Sequence, residues 1–280
     1  MNHVSGAVSL GDHLLFKKEK GVMKAVFISD AHLKKSTDER YKILLHFISD
    51  LKEGLVRSLV SSTDLSQEKA SIHDLYIVGD FFDFWFCEPD RIHPEFKAII
   101  SSLIELQKSG VRIHLFEGNH DFFLKDYFYD VLGMDVVEEW ADIRLDGLRI
   151  LASHGDTADQ SDRLFLLFRK MLRSRLFYRI QRLLPVSLRW AIASASSNVS
   201  KEINGNKHEI LVEKMLAFAS EKLKEDYDAI ILGHCHKPQI RTFDVKGHRK
   251  TFVTLGDWIR YSSFLYYEDG KFYLSQYNSR

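Results

Sequence analysis

A layered α/β core with one helical insert is the fold class that the sequence predicts, and three observations predict it. Short apolar runs recur along the chain, each ending in a carboxylate, imidazole or amide side chain. Amphipathic helical patterns separate the early runs. Turn dipeptides suited to tight hairpins punctuate the C-terminal third. Strands alternating with helices build such layers, and closing hairpins add antiparallel strands to them.

Along the chain, residues 1–22 are broken by Gly, Asp and His before any signal-type apolar stretch forms. Met23 directly precedes the first strand pattern, so residues 1–22 are expected to be a poorly ordered extension or an upstream start. KAVFISDAH (24–32), DLYIVGD (74–80), VRIHLFEGNH (111–120), LRILASH (148–154) and DAIILGHCH (228–236) read as buried strands. RYKILLHFISDLKEGL (40–55) and PEFKAIISSLIELQKSG (94–110) read as helices, the second closed by Gly110. The polar, Ser-rich residues 58–71 read as a loop. Asp146-Gly147, Lys246-Gly247 and Asp269-Gly270 read as hairpin turns. This gives a core of residues 23–156 and 207–280, interrupted by a helical cap over 157–206.

Composition narrows the classes. The 280 residues are 45% hydrophobic with no net charge, which suits a globular chain and argues against a general nucleic-acid binder. Two cysteines, Cys87 and Cys235, make no disulfide framework and suit a reducing cytoplasm. The neutrality hides an asymmetry. From Arg163 to Trp190 there are eight Lys or Arg, no Asp or Glu, and sixteen apolar or aromatic residues. Leu164, Leu167, Phe168, Met171, Leu172 and Leu176 follow a helical spacing that resumes through Phe177, Ile180 and Leu184. The pattern predicts one long helix ended by Pro185, then a short helix through Trp190 and Ile192. The plain reading is a cap helix packed on the core with a solvated basic face. The sharper one is a membrane-surface helix, its Phe and Leu in lipid and Arg169, Lys170 and Arg173 on anionic headgroups. Nucleic-acid binding fits less well, because the face is heavily aliphatic.

Five of the apolar runs finish in Asp30-x-His32, Gly79-Asp80, Gly118-Asn119-His120, His154-Gly155 and Gly233-His234-Cys235-His236. Side chains at the ends of adjacent strands converge on one crevice, where open α/β sheets place their chemistry. The Asp-x-His and His-x-His pairs, read as extended segments, put two side chains on one side. Taken singly, a His after a strand is usually a hydrogen-bonded surface residue, and Gly-Asp or Gly-Asn is usually a turn. Five in order point to a metal site of carboxylate, imidazole and amide donors. Seven donors suit two ions that share a carboxylate. Cys235, between two of the donors, reads as small buried filler.

The ordered set Asp30-x-His32, Gly79-Asp80-x-x-Asp83, Gly118-Asn119-His120-Asp121, His154 and Gly233-His234-x-His236 resembles the calcineurin-like metallophosphoesterases. That family implies a β-sandwich flanked by helices. It also implies two divalent metal ions, most readily Mn²⁺, with Fe, Zn or Co as occupants of the same ligands. By the resemblance, one ion takes Asp30, His32, Asp80 and His236, and the other takes Asp80, Asn119, His154 and His234. Asp80 bridges them, His120 meets a phosphate oxygen or protonates the departing one, and Asp83 and Asp121 support the ligands. A narrower resemblance, to bacterial UDP-2,3-diacylglucosamine diphosphatases of lipid A synthesis, runs through SDAHL (29–33), GDFFDFW (79–85), GNHDFFL (118–124) and HGDTADQSD (154–162). SKE (200–202), GHCHKP (233–238) and LGDW (255–258) continue it.

This second resemblance implies attack on the α-phosphorus of a lipid-linked UDP-sugar, giving UMP and 2,3-diacylglucosamine 1-phosphate. It implies a cap that forms an acyl-chain chamber, and a peripheral protein on the cytoplasmic face of the bacterial inner membrane. Substrate contacts carried over with it are Trp85, Asn119, His120, Asp162, Ser200, Lys207 and His234. Asp162 has a simpler reading as a helix N-cap, and Ser200 with Glu202 as the start of a helix. Much of that family has Arg where His120 stands, and His is the more useful residue when the leaving group is an alkoxide. The alternative is therefore a metal-dependent phosphodiesterase or phosphatase acting on a soluble nucleotide or small ester. A scaffold that has lost catalysis would lack ligands, and none is missing.

Overall fold

The computed structural model describes residues 22–60, 65, 68–85, 87–183 and 205–278. Two sheets pack against each other. In the first, β1 (Lys24–Ile28), β2 (Asp74–Val78), β3 (Arg112–Phe116) and β4 (Asp135–Val137) run parallel. β10 (Ser263–Glu268) and β11 (Lys271–Gln276) extend it antiparallel, in the order β11-β10-β1-β2-β3-β4. The second sheet contains β5 (Trp140–Leu145), β6 (Leu148–Ser153), β7 (Ala229–Leu232), β8 (Pro238–Val245) and β9 (His248–Leu255). Its order is β5-β6-β7-β9-β8, with β6, β7 and β9 parallel.

Burial explains the strand compositions. β2 (DLYIV) is buried throughout, as a strand covered on both faces must be, so its sequence is nearly continuously apolar. β5 (WADIRL) alternates buried and accessible residues because one face meets solvent. Phe27, Val78, Phe116, Ile150, Ile231 and Leu265 fill the layer between the sheets. Outside the first sheet lie α1 (Glu39–Lys52), which buries Tyr41, Leu44, Phe47, Ile48 and Leu51, and α3 (Lys97–Lys108), which buries Ile99, Ile100, Leu103 and Leu106. Short α2 (Val56–Leu59) and α4 (Lys125–Phe128) flank them. Outside the second sheet, Val212, Met215, Ala219 and Leu223 of α7 (Gly205–Leu223) pack on Ile230, Leu232 and Phe252. Each such buried Val, Leu, Ile, Phe or Met side chain stabilises the fold by about 1.5–3 kcal/mol. The predicted sandwich flanked by helices is the architecture found.

All three turn dipeptides close hairpins. Asp146, Lys246 and Asp269 have φ of 49°, 56° and 50°, and the following glycines are also positive, as a type I′ turn requires. The predicted cap helix needs correction. The pattern that reads as one helix is two, α5 (Arg163–Leu172) and α6 (Arg175–Arg182). The break has a local cause: Ser174 Oγ accepts from the Phe177 amide at 3.2 Å and starts a new helix. Residues 1–21, the expected short helix through Trp190 and Ile192, and Ser200 lie outside the described residues.

Candidate active site

The five ligand-bearing segments meet at one end of the two sheets. Backbone hydrogen bonds stitch them together: Asp30 N donates to Gly79 O, His32 N to Asp80 O, Gly233 N to His154 O and Trp258 N to Asp30 O. The expected reason for the Asp-x-His and His-x-His spacing is corrected here, because these segments are not extended. Asp30, His32, Asp80, His234 and His236 have φ of 55°, 44°, 49°, 64° and 55°. Five non-glycine residues in the left-handed region cost on the order of 1 kcal/mol each, and such strain concentrates at functional sites. Two glycines permit the crowding. A Cβ on Gly118 would collide with Asp80, and one on Gly233 would collide with Ser29 and Asp30.

The donor atoms fall into three overlapping groups: Asp30, His32 and His236; His32, Asp80 and His120; and Asp80, His154 and His234, the atoms of each within 4.8 Å of one another. Asp80 Oδ2 lies 3.6 Å from His32 Nε2 and 3.3 Å from His154 Nε2, so one carboxylate oxygen joins the two sides. On one side, Asp30 Oδ1 is 3.8 Å from His32 Nε2 and 3.6 Å from His236 Nε2. On the other, Asn119 Oδ1 is 3.2 Å from His154 Nε2. His154 Nδ1 faces the Val78 carbonyl at 3.1 Å and must donate to it. In a neutral ring Nε2 is then an acceptor facing two acceptors.

These residues fit metal ions. Asp30 Oδ1 and His32 Nε2 are buried without a hydrogen-bond partner, a costly state for a carboxylate oxygen unless a cation completes it. Ligands about 2.1 Å from an ion lie roughly 3–3.5 Å from each other, close to the spacings found. The cluster also favours positive charge. Although burial opposes charge on His154, Asp80 pushes its imidazole up to about 10. Burial and His154 push His234 down to about 4. Burial raises the Asp80 carboxyl, but His154, His120 and His32 outweigh it and hold Asp80 well below the usual carboxylate range.

Around the donors, Asp121 accepts from the amides of Asp80, Phe81, Phe82 and Gly118 at 2.7–3.1 Å. It therefore orders loops rather than imidazoles. Asp83 Oδ1 is 3.6 Å from His32 Nδ1, and its other oxygen is 2.7 Å from Lys34 Nζ. His120 is tied in by its amide to Asp80 Oδ1 at 2.9 Å and by Nδ1 to the Asp83 carbonyl at 3.0 Å. Burial, the largest influence, pushes its pKa down. Cys235 is fully buried, on the α7 side of the second sheet.

Residues 23–238 match the family model described as "Calcineurin-like phosphoesterase". The chain belongs to that family. Calcineurin-like phosphoesterases use divalent metals, and this member is a metal-dependent hydrolase. It is 31% identical over 242 residues to the "UDP-2,3-diacylglucosamine hydrolase" of Yersinia pseudotuberculosis (serotype O:1b), covering 84% of this chain and 91% of that protein. It is 29% identical over 237 residues to the protein of the same name from Proteus mirabilis, again 84% of this chain and 91% of the other. A solved structure described as a novel archaeal phosphodiesterase aligns with TM-score 0.46 at 12% identity, over 91% of this chain and 99% of that one.

The expected substrate contacts are less uniform. Trp85 is buried in the core against Phe82, Phe96 and Phe128. Asp162 caps α5, accepting from the Phe165 amide at 2.9 Å. Lys207 lies in the first turn of α7. Two expected headgroup contacts are corrected: Arg169 pairs with Asp156 and Glu139, and Arg173 with Glu117, so both are turned onto the core. The apolar stripe, by contrast, faces outward, with Leu164 81%, Leu167 67% and Leu176 69% exposed. Sequence reasoning missed Asp257. Its Oδ2 is 3.3 Å from His236 Nδ1, and its Oδ1 accepts from the amides of Ile259, Arg260 and Tyr261. The signal was present: β9 is a further apolar run that ends in Gly-Asp.

Proposed function

We propose that this phosphoesterase hydrolyses the pyrophosphate bond of UDP-2,3-diacylglucosamine, giving UMP and 2,3-diacylglucosamine 1-phosphate. In this reading Asp30, His32, Asp80 and His236 hold one divalent ion, and Asp80, Asn119, His154 and His234 the other. Mn²⁺ is the proposed occupant. Two bound divalent ions would supply Lewis acidity and a water of lowered pKa for in-line displacement at phosphorus. The chain orients everything else. Val78 O fixes the His154 tautomer and Asp257 fixes that of His236, so both Nε2 lone pairs point inward. His120, its Nδ1 committed to Asp83 O, keeps Nε2 for a phosphoryl or departing oxygen.

One observation carries the lipid part of the reading: a long apolar stripe on α5 and α6 faces outward beside a polar, metal-fitting cleft. Exposed apolar patches of this kind mark binding surfaces, and a half-lipid substrate needs both features together. The names of the two relatives support the same substrate. Residues 157–206 are then the proposed cap for the acyl chains, and Ser200 and Lys207 are proposed contacts of the sugar phosphate. The protein would work as a peripheral protein on the cytoplasmic face of the inner membrane.

His120 favours a second reading, a phosphodiesterase or phosphatase for a soluble nucleotide or small ester. When protonated, the imidazole can pass its Nε2 proton to a departing alkoxide while Nδ1–H stays on the Asp83 carbonyl, a service that a sugar-phosphate leaving group does not need. One assay separates the two. Purified protein with Mn²⁺ is offered UDP-2,3-diacylglucosamine and a soluble diester without acyl chains, and kcat/KM is compared. Preference for the lipid supports the first reading; preference for the soluble diester establishes the second.

A further inference from the structure

We propose that Arg173, at the junction of α5 and α6, is a positioning residue that fixes the Gly118–His120 turn, and with it the Asn119 amide oxygen, from the cap side. This rests on the reading above that Asn119, His154 and His234 hold one of two ions with Asp80. The Arg173 guanidinium donates to the Gly118 carbonyl at 2.9 Å and to the Glu138 carbonyl at 2.7 Å, and it pairs with the buried Glu117 carboxylate. Its face lies over the Phe122 ring, 5.8 Å from the centroid. The Gly118 carbonyl belongs to the peptide that leads into Asn119, so rotating that peptide swings the Asn119 side chain.

From the core side the same turn is held by Asp121 Oδ1 on the Gly118 amide and Asp80 Oδ1 on the His120 amide. There is little slack between the two clamps, because Gly118 sits so close to Asp80 that even a Cβ would collide. Arg169, one turn earlier, makes a parallel link: it pairs with Asp156, two residues beyond His154. Both arginines thus join the cap to loops carrying donors of the same ion. The planar, multi-donor guanidinium suits this task, since one group satisfies two carbonyls and a carboxylate. Two basic residues of the insert, Arg169 and Arg173, thus connect the cap to the chemistry.

The test is a calorimetric Mn²⁺ titration of metal-stripped protein in four forms: unsubstituted, Arg173→Met, Arg173→Met with Glu117→Gln, and Tyr178→Phe. The double variant removes the buried carboxylate that Arg173→Met would strand. Tyr178→Phe removes a different cap anchor, the hydrogen bond to Asp126 at 3.0 Å. Loss of a supporting partner typically weakens metal binding about 10–100-fold. The expected result is that one of two Mn²⁺ affinities falls at least about tenfold in both Arg173 forms. The other affinity, and both in Tyr178→Phe, should stay near the unsubstituted values. Equal weakening of both ions, the same loss in Tyr178→Phe, or recovery in the double variant would overturn the inference. Fewer than two ions in the unsubstituted protein would remove the dinuclear reading, and the inference with it. Two ions bound with unchanged affinities in Arg173→Met would remove the inference alone.

Discussion

Replacing Asp257 by Asn changes few atoms and should nonetheless turn a metal ligand around. Asp257 Oδ1 is committed to three backbone amides, so it stays the oxygen in an Asn side chain. The other position, 3.3 Å from His236 Nδ1, then becomes an NH₂. In the native protein that carboxylate oxygen faces Nδ1 and favours the tautomer with the hydrogen there, which leaves Nε2 unprotonated toward Asp30, 3.6 Å away. An NH₂ at the same place donates, so the favoured tautomer reverses and Nε2 carries the hydrogen into the cluster. The native charge balance makes the loss larger. Burial opposes charge on both groups, yet Asp30 and Asp257 raise the His236 pKa and His236 lowers that of Asp257. Losing such a partner should weaken one ion about 10–100-fold, roughly 1.4–2.7 kcal/mol. Calorimetric Mn²⁺ titration of the variant measures it, and the backbone cap formed by Oδ1 keeps the loop in place as an internal control. Two unchanged affinities in a folded Asp257→Asn protein would refute the tautomer argument.

Two other expectations concern stability and surface. His114 on β3 has Nε2 2.8 Å from Asp74 and Nδ1 3.0 Å from Asp135, an arrangement that only the doubly protonated ring satisfies. Burial lowers its pKa, but the two carboxylates outweigh burial and raise it above 6.5. Its contribution is therefore complete below about pH 6.5 and disappears as pH rises through the folded-state value. His114→Phe should cost about 2 kcal/mol in urea unfolding at pH 5.5, with the gap to the unsubstituted protein narrowing at pH 9; a constant gap would contradict this. Leu164, Leu167 and Leu176 face solvent, so changing all three to Ser should alter unfolding by less than about 1 kcal/mol. Sedimentation with anionic vesicles should show at least a several-fold drop in binding by the same variant, and unchanged binding would assign the stripe to another purpose.

The seven donors and the strands that carry them were legible because each apolar run stops at a polar residue, a pattern that survives without any knowledge of the layers. The hairpins were legible because Asp146-Gly147 and its two counterparts require a rare backbone conformation. The left-handed donors were not. The period-two spacing of Asp30 and His32 suits an extended strand equally well, and only the stitching of adjacent loops selects the strained form. The break at Ser174 was hidden because the apolar period continues across it. The partners of Arg169 and Arg173 were also hidden, since Asp156, Glu139 and Glu117 lie outside the helix, 13, 30 and 56 residues away. Charge along a helix gives the sign of its face and says nothing of where that face points.

The account turns on Asp80 Oδ2, lying 3.6 Å from His32 Nε2 and 3.3 Å from His154 Nε2. The most direct test is the metal content of dialysed protein, by elemental analysis, for the unsubstituted chain and for Asp80→Ala after loading with Mn²⁺. The account predicts two ions per chain in the first and loss of both, together with hydrolysis, in the second. Two ions retained by Asp80→Ala would contradict it.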